Sequence, residues 1–204
     1  MNSNNILTVA DKKEKGISYA TYIGRFNKAQ KSGFYLECLW ILYAMLEDRT
    51  SSILFYLGLT SNDKRSSVTG TKAIKSQIRD IFGMTKQTDK YRFNNISGKL
   101  QRINKLLLWS ESEENIDTPY KKDLQKLLKL LAESDELTNA ISFLEGEWRE
   151  KRNQLTHSLF NKDPNSVITE LKPLVENGYK AVRIIDKSVR KINKKGIRSK
   201  YKIQ

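Results

Sequence analysis

A chain of 204 residues is long enough to bury a core within one domain. With 38 % hydrophobic and 29 % charged residues, its composition describes a folded protein with wet surfaces and excludes a wholly disordered one. Lysine and arginine outnumber aspartate and glutamate by 37 to 23, a formal charge of +14, so polyanions are the first partners to consider, nucleic acid ahead of an anionic membrane.

The opening residues, MNSNNILTVADKKEKG, are polar and hold no apolar stretch of the secretory kind. We read residues 1–17 as a polar N-terminal segment and residues 18–193 as one all-α domain. No segment sustains an alternation of apolar and polar residues, and only three prolines interrupt the chain, so helical spacing dominates. A first helix is expected from Ser18 to Gln30, ending near Gly33. A second runs from Phe34 to Leu57 and is apolar nearly all round before Glu47, which predicts a central buried helix with Trp40 in the core. Its longest apolar run, Leu39 to Leu46, is too short to span a bilayer, and no membrane partner is expected. Cys38, the single cysteine, excludes an internal disulfide and reads as a buried, inert thiol in a cytoplasmic protein.

Glu37 lies among apolar residues, where an unpaired carboxylate is costly to bury. It either faces a cleft, pairing with Arg152 or orienting His157, or is held near its helix start by the macrodipole or a lysine. Glu47-Asp48-Arg49 interrupts the same apolar face, either within a buried network or by reaching solvent. Thr60 to Thr71 is a loop by its Ser, Asn, Asp and Gly content. Helices are expected over Lys72–Phe82 and Asn95–Ser110, the latter placing Trp109 in the core. Another is opened by Thr118-Pro119, an N-cap followed by proline at the first helical position. Leu124, Leu127, Leu128 and Leu131 give that helix an apolar stripe.

Ser134 is read as the cap of one long helix reaching Phe160, NKDPNS as a turn, and Ser166 to Ile192 as the last helix. From Lys180 onward there are ten Lys or Arg against one acid, Asp186. Arg183, Lys187, Arg190, Lys191, Lys194 and Lys195 spread round their helix, which suits non-specific attraction to nucleic-acid phosphates and equally a solubilising surface. Residues 194–204 are expected as a flexible basic tail. The fold class is a single all-α helical bundle with a basic C-terminal extension.

Common catalytic machinery is missing from the sequence. There is no phosphate-binding loop, no GxGxxG after a strand and no nucleophile elbow, and one His with one Cys cannot supply the usual zinc ligands. No metal or cofactor is expected. What remains is WREKRNQLTHSLF, Trp148 to Phe160, which holds the single histidine. On a helix, Arg149, Asn153 and His157 stack on one face, whereas Arg152 and His157 stand about 140° apart. Those two meet at one atom only at a helix end or bend, or when a second copy supplies one of them. Cleaving RNA without a metal needs a group that takes the 2′-hydroxyl proton, and histidine titrates near the working pH. It also needs fixed positive charge beside the phosphorus, which arginine supplies with a bidentate fork. Asn153 can orient the imidazole ring or hold a phosphate oxygen.

Arg152-Asn153, three residues and His157 resemble the R-x4-6-H signature of the HEPN superfamily, small all-α domains that are often ribonucleases of toxin–antitoxin, abortive-infection, CRISPR-associated and other defence systems. The resemblance implies a helical bundle over residues 18–193 and a homodimer in which two motifs face one another across a basic cleft. It implies RNA as substrate, His157 as acid/base group, Arg152 as phosphate ligand, and an antitoxin or defence-system protein as partner. Glu147, Lys151 and Arg152 resemble an upstream E-x3-K-R variant, though Glu147 and Lys151 also read as a plain surface pair. Leu159 stands where members silenced by nucleotidylation carry tyrosine, which argues against that modification here. The alternative function is a non-catalytic module of the same fold that binds RNA, a nucleotide or a partner protein. A basic helical DNA-binding protein is more distant, since no helix-turn-helix signal is present.

Overall fold

The computed structural model describes residues 12–60, 72–83, 95–112, 116, 118–158 and 161–203. Among them are nine helices and no strand. In chain order they are α1 (Lys12–Lys31), α2 (Tyr35–Tyr56), α3 (Lys72–Phe82), α4 (Ile96–Glu111), α5 (Pro119–Ala132), α6 (Glu136–Glu145), α7 (Glu147–Ser158), α8 (Pro164–Lys195) and α9 (Ile197–Lys200). The chain is an all-α bundle. No described helix is long and apolar enough to cross a membrane.

α2 lies at the centre because apolar side chains recur round most of its circumference, and its widest packing is against α8. Cys38, Leu42, Leu46, Ile53 and Leu54 are buried along it, in one core with Val175, Val182, Ile185, Val189 and Ile192 of α8 and the buried leucines of α4. Burial pushes the Cys38 thiol up to about 11, with the neighbouring Glu37 charge adding to the effect, so the thiol stays protonated as expected. Trp40 departs from its expected core position: it is 74 % exposed, because α2 presents one strip of its apolar surface outward. Trp109 is buried.

Two charged clusters cross this interior. Lys99 of α4 is buried and donates to Glu47 and to Ser51 Oγ (2.9 Å). Arg49 lies between Asp48 (3.4 Å) and the buried Asp186 (3.3 Å) and stacks 3.7 Å from the Tyr19 ring centroid. Glu47-Asp48-Arg49 is therefore the internal network that the sequence allowed. It fastens α2 to α1, α4 and α8, since a buried ion left alone would cost several kcal/mol (about 3–5).

Helix ends follow capping chemistry. Asn95 accepts from Gly98 N (2.7 Å) at the start of α4, and Thr118 accepts from Lys121 N before Pro119 opens α5. The single long helix expected from Ser134 to Phe160 is instead two. Gly146 adopts φ −92°, ψ −99°, outside the helical region, so the backbone turns between α6 and α7. Asp135, in a left-handed conformation, precedes α6 in place of a Ser134 cap. Phe160 and the preceding leucine lie outside the described residues. α1 starts at Lys12, within the segment read as a polar lead, and α8 starts earlier than expected because Asp163 caps Ser166 N (3.0 Å) ahead of Pro164.

The expected flexible tail is folded. Gly196, at φ +63°, ends α8 and turns the chain back into α9. Arg198 donates to the carbonyls of Phe55 (3.1 Å) and Thr60 (2.8 Å) at the end of α2, while Ile197 and Ile203 are buried. Tyr201 and Lys200 both donate to Asp123 of α5.

Candidate functional site

α7 presents its motif because its inner face is anchored to α8. Trp148 is buried, and its indole N–H donates to the Leu174 carbonyl (3.2 Å). Gly178 permits this approach, since a Cβ there would stand 2.5 Å from Trp148 Nε1. Leu155, seven residues on, buries the same face. Arg152 lies between these anchors, with its guanidinium 4.8 Å from the Tyr43 ring centroid and 5.6 Å from that of Trp148.

Both Nε (3.2 Å) and Nη2 (2.6 Å) of Arg152 donate to Asn153 Oδ1. The neighbouring amide thus holds the arginine head by two hydrogen bonds. Arg152, Asn153, Thr156 and His157 span about 140° of the α7 surface and together form one wall of an open groove of about 480 Å³. Leu36, Leu39, Trp40 and Tyr43 of α2 form the other. α7 is unbroken from Arg152 to His157, so the bend that the spacing called for is not between them. His157 is in the last turn of α7, and no hydrogen bond joins it to Arg152. The two are brought together by sharing a groove rather than by contact.

The remaining candidates divide. Arg149 leaves the groove and donates to Ser97 Oγ (2.7 Å), lining a smaller adjoining cavity with Tyr43, Trp148 and Arg152. Glu37 pairs with Arg25 (3.1 Å) in the first turn of α2, so its cleft-facing reading fails: the carboxylate is exposed and already has a cation. Glu147 and Lys151 form an exposed i, i+4 pair (2.6 Å) away from the groove. Of the basic C-terminal residues, Lys187 pairs with Glu136 (3.5 Å) and Arg190 with Asp186 (2.8 Å), and Arg183 lies beside them. Lys191 and Lys194 are exposed, and Lys195 lines a separate cavity with Lys122, Lys126, Lys129 and Lys200. None of these six belongs to the groove. Among the described residues no group of three or more His, Cys, Asp or Glu side chains is placed to hold a metal ion.

Sequence reasoning missed Trp40 and Tyr43. Leu36, Leu39, Trp40 and Tyr43 recur at helical spacing, which reads as a core stripe. The available signal was excess: an helix apolar on every side cannot bury every side in a bundle whose other helices are strongly charged.

The chain matches no protein-family model, no curated protein and no solved structure. Function must be judged from the groove and the motif themselves.

Proposed function

We propose that the protein is a metal-independent endoribonuclease of HEPN type. The observation that supports this reading is the shared groove wall of Arg152, Asn153 and His157 at the end of α7. His157 accepts the proton of a ribose 2′-hydroxyl as that oxygen attacks the adjacent phosphorus. The P–O5′ bond breaks, leaving a 2′,3′-cyclic phosphate on one fragment and, once the leaving oxygen is protonated, a 5′-hydroxyl on the other. Arg152 faces the phosphate oxygens, where negative charge grows in the transition state, and Asn153 fixes the direction of its fork. The resemblance of the motif adds a homodimer, in which a second histidine is available to protonate the leaving oxygen. It also adds the setting, a toxin or an anti-phage defence system, with an antitoxin or defence protein as partner.

The test is incubation of the purified chain with RNA in EDTA. Cleavage that leaves cyclic phosphate ends is expected, with a loss of at least about a hundredfold in His157→Ala, the scale of one general acid–base group, and a comparable loss in Arg152→Ala. Circular dichroism should be unchanged, because both side chains are outside the core. Expression should arrest growth of a host, and expression of the His157 variant should not. If the wild type leaves a broad set of RNAs intact, or His157→Ala cuts as well as wild type, the catalytic reading is wrong.

A further inference from the structure

We infer that Trp40 is a stacking platform for an unpaired nucleobase, which makes the groove selective for single-stranded RNA. The inference rests on the ribonuclease reading for where the phosphate lies, although binding and cleavage are read separately below. Three observations carry it. Trp40 is the most exposed of the large hydrophobic residues among those described, at 74 %, whereas Trp109 and Trp148 are buried. An indole in water on a folded helix loses the stabilisation that burial would give it, and a tryptophan retained there is a candidate contact.

Its position is the second observation. Trp40 lines the same groove as Arg152, Asn153, Thr156 and His157. One wall is thus apolar and aromatic, while the facing wall offers a cation with hydrogen-bonding groups. A nucleotide has the same division, a flat base with π-faces beside an anionic phosphate. An apolar helix laid in the groove would satisfy the α2 wall but strip water from Arg152, Asn153 and His157 without replacing it. The third observation concerns Tyr43. Its ring is already covered by the Arg152 guanidinium, at 4.8 Å, which leaves Trp40 as the open ring among the described residues of the groove. The formal charge of +14 favours a polyanion over a neutral ligand of similar shape.

Stacking on Trp40 requires a base face that is not stacked on its neighbours. In an A-form duplex those faces are occupied, whereas single-stranded loops and ends offer them. The scissile phosphate would then be next to the captured base, so Trp40 selects the strand state and Arg152 with His157 act on the backbone.

The buried positions of the other two tryptophans make Trp40 readable by fluorescence. The full chain is titrated with a single-stranded 2′-O-methyl oligonucleotide, which has no 2′-hydroxyl to react, and acrylamide quenching of tryptophan emission is measured. The free protein should show one accessible tryptophan, shielded by the single strand and not by the same oligonucleotide annealed to its complement. Trp40→Ala should weaken single-strand binding by about tenfold or more, the scale of one base–aromatic stack, and Trp40→Phe should retain most of it. Unchanged affinity in Trp40→Ala, or equal shielding by duplex, overturns the inference. So does an indole already shielded in the free protein and released on dilution, which would mean that a second copy covers it. Shielding by the single strand in a protein that cuts no RNA would leave Trp40 as a base platform and remove the ribonuclease reading instead.

Discussion

Asn153 acts on the proposed chemistry through another residue. Its Oδ1 accepts two hydrogen bonds from Arg152, at 3.2 and 2.6 Å, and without them a long guanidinium arm on a helix surface samples several rotamers. Asn153→Ala is expected to lower kcat/KM for RNA by about tenfold, the size of one hydrogen bond to a charged group. Because Arg152 is proposed to act on the developing phosphorane charge, the loss should be in kcat with KM little changed. Asn153→Asp adds a formal charge that holds Arg152 more tightly but opposes the substrate phosphate, so it should raise KM instead. A side chain with only a structural role would change thermal stability in both variants and leave this division absent. Steady-state kinetics on a short fluorogenic RNA, alongside thermal melts, separates the cases.

At the scale of elements, the groove exists because α7 is held against α8 at a fixed height. That height is set where the indole edge of Trp148 meets the backbone of Gly178, with the Leu174 carbonyl accepting from Nε1. Gly178→Ala should therefore destabilise the protein despite the better helix propensity of alanine. The added Cβ would be 2.5 Å from a buried ring that cannot swing aside, and overpacking of this kind costs about 1–3 kcal/mol against a propensity gain of about 1. Urea unfolding should show a lower midpoint with the slope retained, and Gly178→Ser should behave likewise. The sequence disclosed the cap of α5 at Thr118, because capping is local and the side chain beside the helix start decides it. It disclosed the motif residues for the same reason, since their spacing along one helix is a local property. The break at Gly146 was hidden: an isolated glycine inside a helical pattern reads as a tolerated weak point, and only packing against neighbouring helices shows whether the chain turns there. Trp40 was misread on the same ground, and Glu37 could only be left between its two readings. Three residues apart on α2, both depend on which strip of an all-round apolar helix stays uncovered, and that is settled by the other helices.

Across the whole molecule, the basic composition disguised the role of the last residues. A run rich in lysine after a long helix looks like a solvated tail, yet the two apolar residues in it, Ile197 and Ile203, are both buried. Ile203 reaches the turn after α2, where Gly58 at φ +82° has no Cβ to block it. The C-terminus thus closes the end of α2 opposite the groove, with Arg198 satisfying carbonyls of Phe55 and Thr60. If the segment were a tail, Ile203→Ala would leave stability unchanged. The folded arrangement predicts a loss of about 2–4 kcal/mol, the ordinary cost of truncating a buried isoleucine. The same closure has a pH signature. Hydrogen bonds from Lys200 and Tyr201, with smaller charge effects from Lys200 and Lys126, hold the Asp123 carboxyl below its ordinary value of 3.8. A carboxylate depressed on folding contributes stability that is present above its unfolded value and lost as pH falls through the lower folded one. The stability gap between wild type and Asp123→Asn should therefore be constant near neutrality and close below about pH 4. It should be small throughout, because a third of the Asp123 side chain is in water and screening weakens the pair. Chemical denaturation of wild type, Ile203→Ala and Asp123→Asn at pH 7 and at pH 3 measures both effects: the isoleucine deficit should persist at pH 3, while the aspartate deficit should shrink.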